Sequence, residues 1–248
     1  AAMAAGVLSG YITAFLQTGL GVESILAGII VNTGLYTINL MAMGFSSTLS
    51  VFKCDTIFSL AKSALSGVLG GALAGWSKLL VAAVIALTVA LLLTWFLKTR
   101  LGLSIRATGD SPDMIRASSV NPAFTITVGL CISGALTALS GGLLAQYQKS
   151  CDINVGTGMV TIALASLIIG ETLVGKRTMV RRVLGVVFGS CLYRFIVAVA
   201  LRFNVPAAAM KLVSAIIVAV AISMPAIREK IAFEKRRNAA RQARKERV

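Results

Sequence analysis

The chain of 248 residues has no histidine, only nine acidic residues against 24 basic ones, and charge on just 13% of its positions. A soluble domain carries charge on about 25% of its residues, so an ordinary soluble domain is excluded. Without histidine there is no imidazole base and no histidine metal ligand. The few carboxylates form no pair suited to acid–base work, no nucleophile elbow is present, and no metal-ligand spacing is found, so neither catalytic nor metal residues are assigned. The four cysteines are scattered. Cys131 and Cys191 fall inside apolar segments, where cysteine acts as a small buried hydrophobe. Cys54 and Cys151 fall in loops read as external, where a disulfide between them is conceivable but has no close spacing to support it.

What is present is apolar. Hydrophobic residues make up 57% of the chain and the mean hydropathy is +0.87. The pattern is that of an all-α, polytopic membrane protein with roughly seven or eight membrane-spanning or half-length helices. Uncharged runs at Ala1–Val22, Ser24 to about Gly44, Leu79–Leu97, Pro122–Tyr147, Ile153–Gly170, Val183–Leu201 and Leu212–Ile227 are the candidates. A helical span needs about 20 such residues. Trp95 stands at the end of its run, as an interface anchor would. Gly67, Gly71 and Gly75 fall four apart, a close-packing spacing, and Gly185 and Gly189 form another such pair. Residues 1–227 are read as one membrane domain and residues 228–248 as a basic cytoplasmic tail.

The net charge of +15 does not indicate nucleic acid. Nine of the basic residues lie in the tail from Arg228, and the others mostly flank apolar runs, where membrane lipid headgroups and topology account for them. Placing the loop 98–121, the cluster around Lys176 and the tail inside leaves only Lys53, Lys62, Lys78, Lys149, Arg202 and Lys211 outside, the asymmetry expected of a positive-inside arrangement.

The polar island Leu97–Pro122, LKTRLGLSIRATGDSPDMIRASSVNP, organises the chain. Asp110 or Ser111 is positioned to cap a short helix, Pro112 suits its first position, and Asp113 puts negative charge in its first turn. Asn121-Pro122 is expected to end it, since the residue before proline is pushed out of the helical region. Asn32, Tyr36 and Asn39 recur at helical spacing on one face. That face is expected to point inward, either for interhelical hydrogen bonding or to line a solute path. Gly170 to Lys176 has the G-x-x-x-x-G-K spacing of a phosphate loop, but Arg177 stands where Ser or Thr must hold magnesium, so a nucleotide site is rejected. Glu171 and Arg194 are the charges placed nearest membrane depth. They either meet beside a path, if the Gly170–Arg177 stretch is a break within the membrane, or lie apart, with Arg194 reaching the outer interface.

The RATGDSPDMIRASSVN core resembles the cytoplasmic coupling loop of the permeases of ABC importers of the branched-chain amino acid and ribose type. The likeness is nearest to those of amino-acid (tryptophan-type) systems. ILAGIIVNTGLYTINLMAMG (Ile25 to Gly44), IALASLIIGETLVGKR (Ile162 to Arg177), LYRF and MKLVSAIIVAVAISMP extend it over nearly the whole chain. The resemblance implies a permease subunit, not itself an enzyme and without cofactor, in a bacterial inner membrane. Its implied partners are separate ABC ATPase subunits, an extracytoplasmic solute-binding protein and a second permease copy. It implies ATPase coupling through Arg106, Gly109, Asp110, Pro112, Asp113 and Arg116. Asn32, Tyr36, Asn39, Glu171 and Arg194 are the residues considered for the path. The opening AAMAAG, with no initiator methionine or basic segment ahead of the first apolar run, reads as an N-terminal truncation with further helices expected before it. Against this stands a self-contained secondary transporter or channel, which would want intramembrane acidic relays or a selectivity loop.

Overall fold

Long uncharged runs flanked by polar punctuation fold here as helices in a computed structural model that describes residues 1–51, 56–59, 77–156, 159–175 and 178–202, with 212, 215, 216, 219, 220 and 223. The chain divides into two units, Ala1–Asn154 and Val155–Val248.

The first unit contains α1 (Ala2–Thr18), α2 (Ser24–Ala42), strand β1 (Thr48–Ser50), α3 (Ser77–Lys98), α4 (Arg100–Asp110), α5 (Pro112–Ala117), α6 (Pro122–Gln148), strand β2 (Ser150–Asp152) and a 3-10 turn, Ile153–Gly156, that starts within it. The second contains α7 (Met159–Val174) and α8 (Met179–Arg202). Among the described residues, four helices are long and apolar enough to cross a membrane: α2, α3 from Lys78, α6 and α8. α1 and the Ile162–Val174 part of α7 are shorter apolar helices. The protein is an all-α helical membrane protein. Its surface agrees: Leu87, Leu91 and Trp95 of α3 are 63–70% exposed, which suits a face turned to lipid or to another membrane helix rather than to water.

In lipid there is little hydrophobic drive between helices, so close approach of small residues holds them together. α1 carries buried Gly6, Gly10 and Ala14 at spacings of four. A β-carbon on Gly6 would collide with the Gly134 carbonyl and lie 2.5 Å from Ala138 Cβ, and one on Gly10 would strike the Leu130 carbonyl. The α1 and α6 backbones are therefore in direct contact, which only glycine permits. In the second unit a β-carbon on Gly170 would strike the Gly185 carbonyl, and one on Gly189 would strike the Ser166 carbonyl. The close-contact role expected of Gly185 and Gly189 holds. One turn further along, Tyr193, 3% exposed, is buried with Ala165, and Ile162 and Val197 pack against them.

Several local expectations are corrected. The polar island holds two helices, not one. Thr99 caps α4 by accepting from the Gly102 N–H, and Gly102 lets α4 fold back on the end of α3, since a β-carbon there would lie 2.6 Å from Leu97 Cα. The short helix α5 does not end at Asn121-Pro122. Ser119 turns left-handed (φ 58°), its N–H donates to the Arg116 carbonyl, and the Val120 N–H donates to that of Ile115. This is the Schellman pattern that satisfies terminal carbonyls. Asn121 instead opens α6, its Oδ1 accepting from the Ala123 N–H with Pro122 at the first position.

The segments after Gly44 and Gln148, read as plain loops, pair as an antiparallel ribbon with Thr48 opposite Asp152 and Ser50 opposite Ser150. Glu171 lies inside α7, and the helix stops at Val174, where Gly175 takes φ +85°. Cys54 and its proposed bridge to Cys151 lie outside the described residues, as do Lys53, Lys62, Gly67, Gly71, Gly75, Lys176, Arg177, Lys211 and the tail 228–248.

Candidate functional site

The loop between α3 and α6 is a folded foot. α4 turns sharply from the end of α3 and contacts α6, and α5 contacts both α4 and α6. Thr108 and Thr125 are 6% and 2% exposed, and their hydroxyl oxygens are 2.8 Å apart across the α4–α6 contact. Thr108 Oγ1 also reaches the Ser104 carbonyl at 2.8 Å and Thr125 Oγ1 the Pro122 carbonyl at 2.9 Å. Each hydroxyl carries one proton, so when one donates across the helices the other donates to its own backbone carbonyl. On α5, Ile115 is 7% exposed and anchors the helix to the foot.

The rest of this foot faces out. Arg106, Gly109, Asp110, Pro112, Asp113 and Arg116 are all exposed, so the six residues expected to couple to an ATPase share the open surface of α4 and α5. Ser111 occupies the N-cap position of α5, but its side chain makes no capping hydrogen bond. The carboxylate of Asp113, in the first turn of α5, complements the helix N-terminus. Arg116 sits 3.7 Å from Asp113 in an exposed pair, which contributes little to stability. Met114 stands 71% exposed between them. The foot thus offers acid, base and thioether together on a short rigid helix.

The far end of α6 is finished differently. Tyr147 meets Phe58 edge to face, with ring centroids 5.8 Å apart, and Lys78 Nζ lies 5.7 Å from the Tyr147 ring centroid. Gln146 Oε1 accepts from the Ile57 N–H, and the ribbon adds a bond from the Val51 N–H to the Lys149 carbonyl. Lys78 and Lys149, both expected outside, therefore lie at the end of α6 opposite the basic foot.

Asn32, Tyr36 and Asn39 on α2 are exposed within the chain, so the expectation that this face points inward is not met by contacts of the first unit. Asn39 alone of the three lines an open groove of about 800 Å³ bounded by α1, α2, α6 and the β2 segment. Small residues such as Gly6, Gly134 and Gly141 line the groove, and Ser9, Ser133, Asn39 and Asp152 are among its polar groups.

Glu171 and Arg194 are not brought together. α7 and α8 pack with Gly170 level with Gly185 and Ser166 level with Gly189, which sets Glu171 and Arg194 about ten residues apart along the pair, or about 15 Å. Arg194 is exposed.

Sequence reasoning missed the threonine pair and the α1–α6 contact. The four-residue spacing of Gly6, Gly10 and Ala14 was a usable signal for the second. The first had none, because two threonines 17 positions apart announce nothing by themselves.

Long apolar helices packed through glycine, with a basic foot carrying an outward-facing short helix, are those of an integral membrane protein. The comparisons agree. Residues 1–222 match the family described as the permease component of branched-chain amino acid transport systems, and the chain belongs to that family. It is 32% identical over 217 residues to a tyrosine transport system permease protein of Clostridioides difficile, covering 88% of this chain and 68% of that one. It is 26% identical to an uncharacterized protein of Rickettsia prowazekii over 90% of this chain and 76% of that one. A 91-residue stretch, 36% of this chain and 28% of the relative, is 37% identical to the D-allose transport system permease protein of Escherichia coli. No solved structure matches the chain.

Proposed function

We propose that this chain is the membrane-spanning permease subunit of an ATP-binding-cassette importer, sits in a bacterial inner membrane, and moves an amino acid. The observation that carries the reading is the outward foot. Six exposed residues of α4 and α5 surround an exposed Met114 while Ile115 ties α5 to the helices behind it. A short helix held on one side and charged on the other suits a socket on separate ATPase subunits, which would drive the foot as they close on ATP. A second permease copy would complete the path, and an extracytoplasmic binding protein would deliver solute at the Gln148 end of α6. Asn32, Tyr36 and Asn39, exposed within one chain, would then be available to face the path between copies. The match to a tyrosine permease supports an amino acid as the solute, and the apolar groove with few fixed charges suits one with an apolar or aromatic side chain.

Purification of the tagged chain from its native membranes tests this reading. A nucleotide-binding ATPase subunit should co-purify in stoichiometric amount, and the complex in proteoliposomes should take up labelled tyrosine only when ATP is supplied. A chain that purifies free of any ATPase and transports down a gradient alone would contradict it.

A further inference from the structure

The foot can transmit a push only if α5 and α6 move together, and the connection between them is short but not inherently stiff. Ser111 is extended and Ser119 left-handed, so each is a place where α5 could pivot. Across this loop lies the Thr108–Thr125 hydroxyl bond, which joins residues 17 positions apart and closes the segment that carries α5. Thr108 is in the last turn of α4 and Thr125 in the first turn of α6. Both side chains are almost wholly buried, so water cannot replace the bond between them when it breaks.

We propose that Thr108 and Thr125 are positioning residues that clasp the coupling foot to α6, so that displacement of α5 is delivered to the membrane helix instead of being absorbed at Ser111 and Ser119. This rests on the reading of α5 as the ATPase contact. The hydroxyls do no chemistry; their role is to make α4, α5 and the start of α6 one body. Valine keeps the shape of threonine but cannot donate or accept, and it leaves the partner hydroxyl able to bond only to its own backbone carbonyl. Serine keeps the bond and gives up one methyl.

The test uses the full permease reconstituted with its ATPase and binding protein, read as uptake of a mixture of labelled amino acids per ATP hydrolysed. Thr125→Val should lower that ratio about fivefold, the scale of one buried hydrogen bond. Thr125→Ser should restore most of it, and Thr108→Val combined with Thr125→Val should be no worse than either alone, because either change already removes the one bond between the helices. A merely structural role would lower the melting temperature and leave the ratio unchanged. An unchanged ratio in Thr125→Val overturns the clasp, and so does Thr125→Ser failing as badly as Thr125→Val. The wild-type complex separates the two ideas. If it shows no ATP-dependent uptake, the permease reading falls and takes the clasp with it; if it transports normally while Thr125→Val keeps its ratio, the clasp alone is wrong.

Discussion

At its Pro122 end α6 is held by a hydroxyl pair buried to 6% and 2% exposure; at its Gln148 end it is held by an exposed tyrosine, a glutamine and a three-residue ribbon. The helix between them has 27 residues, about 40 Å at 1.5 Å per residue. Buried polar contacts in apolar surroundings are hard to exchange, whereas exposed ones trade readily with water. The Pro122 end is therefore the harder of the two to loosen, and the Gln148 end the easier. One helix thus has a firm end and a yielding end, with the glycine contact to α1 lying between them.

The largest effect is expected where both ends lose their common support. Gly6→Leu forces a side chain into the Gly134 carbonyl and Ala138, and should destabilise by more than about 3 kcal/mol, since overpacking against rigid backbone cannot relax. Loss of a monodisperse protein in detergent, or a collapsed melting temperature, would register it. Asp113→Lys with Arg116→Glu reverses the exposed charges of α5 and should reduce ATP-driven uptake at least about tenfold, because like charges then oppose an evolved partner surface. Both side chains are solvated, so the thermal melt should hardly change. Equal losses of uptake and melting temperature would mean that the foot is structural and the comparison misdrawn.

The outer end should respond oppositely. Tyr147→Ala removes the contacts with Phe58 and Lys78, worth about 1 kcal/mol, and should shift the melt slightly while leaving uptake per ATP intact. Val51→Pro, which deletes the N–H donated to the Lys149 carbonyl, should have the smallest effect, about 0.5 kcal/mol or a little more at a half-buried site at the edge of the ribbon. An uncoupled transporter from either change would show that the yielding end carries force as well.

These contrasts were unevenly legible in the sequence. The span Leu79–Leu97 was read from its missing charge and appears as Ser77–Lys98, because backbone in lipid must bond to itself and a long apolar run has no other way to do so. The short helix of the foot was announced by Pro112 and Asp113, whose roles are local. α4 was not, because the residues it buries are Gly102 and Thr108, small and polar where periodicity looks for apolar side chains. The ribbon escaped for a related reason: Thr48, Leu49 and Ser50 are all exposed and show no alternation. The inward face predicted for Asn32, Tyr36 and Asn39 rested on the same cost of polar groups in lipid. Among the described residues Asn39 lines a groove that Asn32 and Tyr36 do not, since burial of such a face depends on neighbours that spacing cannot supply. The separation of Glu171 from Arg194 followed from which glycines meet, and that pairing is set by tertiary packing rather than by either segment alone.

Contact between α5 and a separate ATPase is best probed from Met114, 71% exposed at the centre of that helix. A photo-reactive phenylalanine analogue placed at Met114→Phe-type substitution in intact cells should cross-link the permease to a nucleotide-binding subunit, identified by mass spectrometry of the adduct. The yield should fall when Asp113→Lys and Arg116→Glu are present. Cross-links confined to lipid or to the permease itself, with the ATPase expressed in the same cells, would contradict the account.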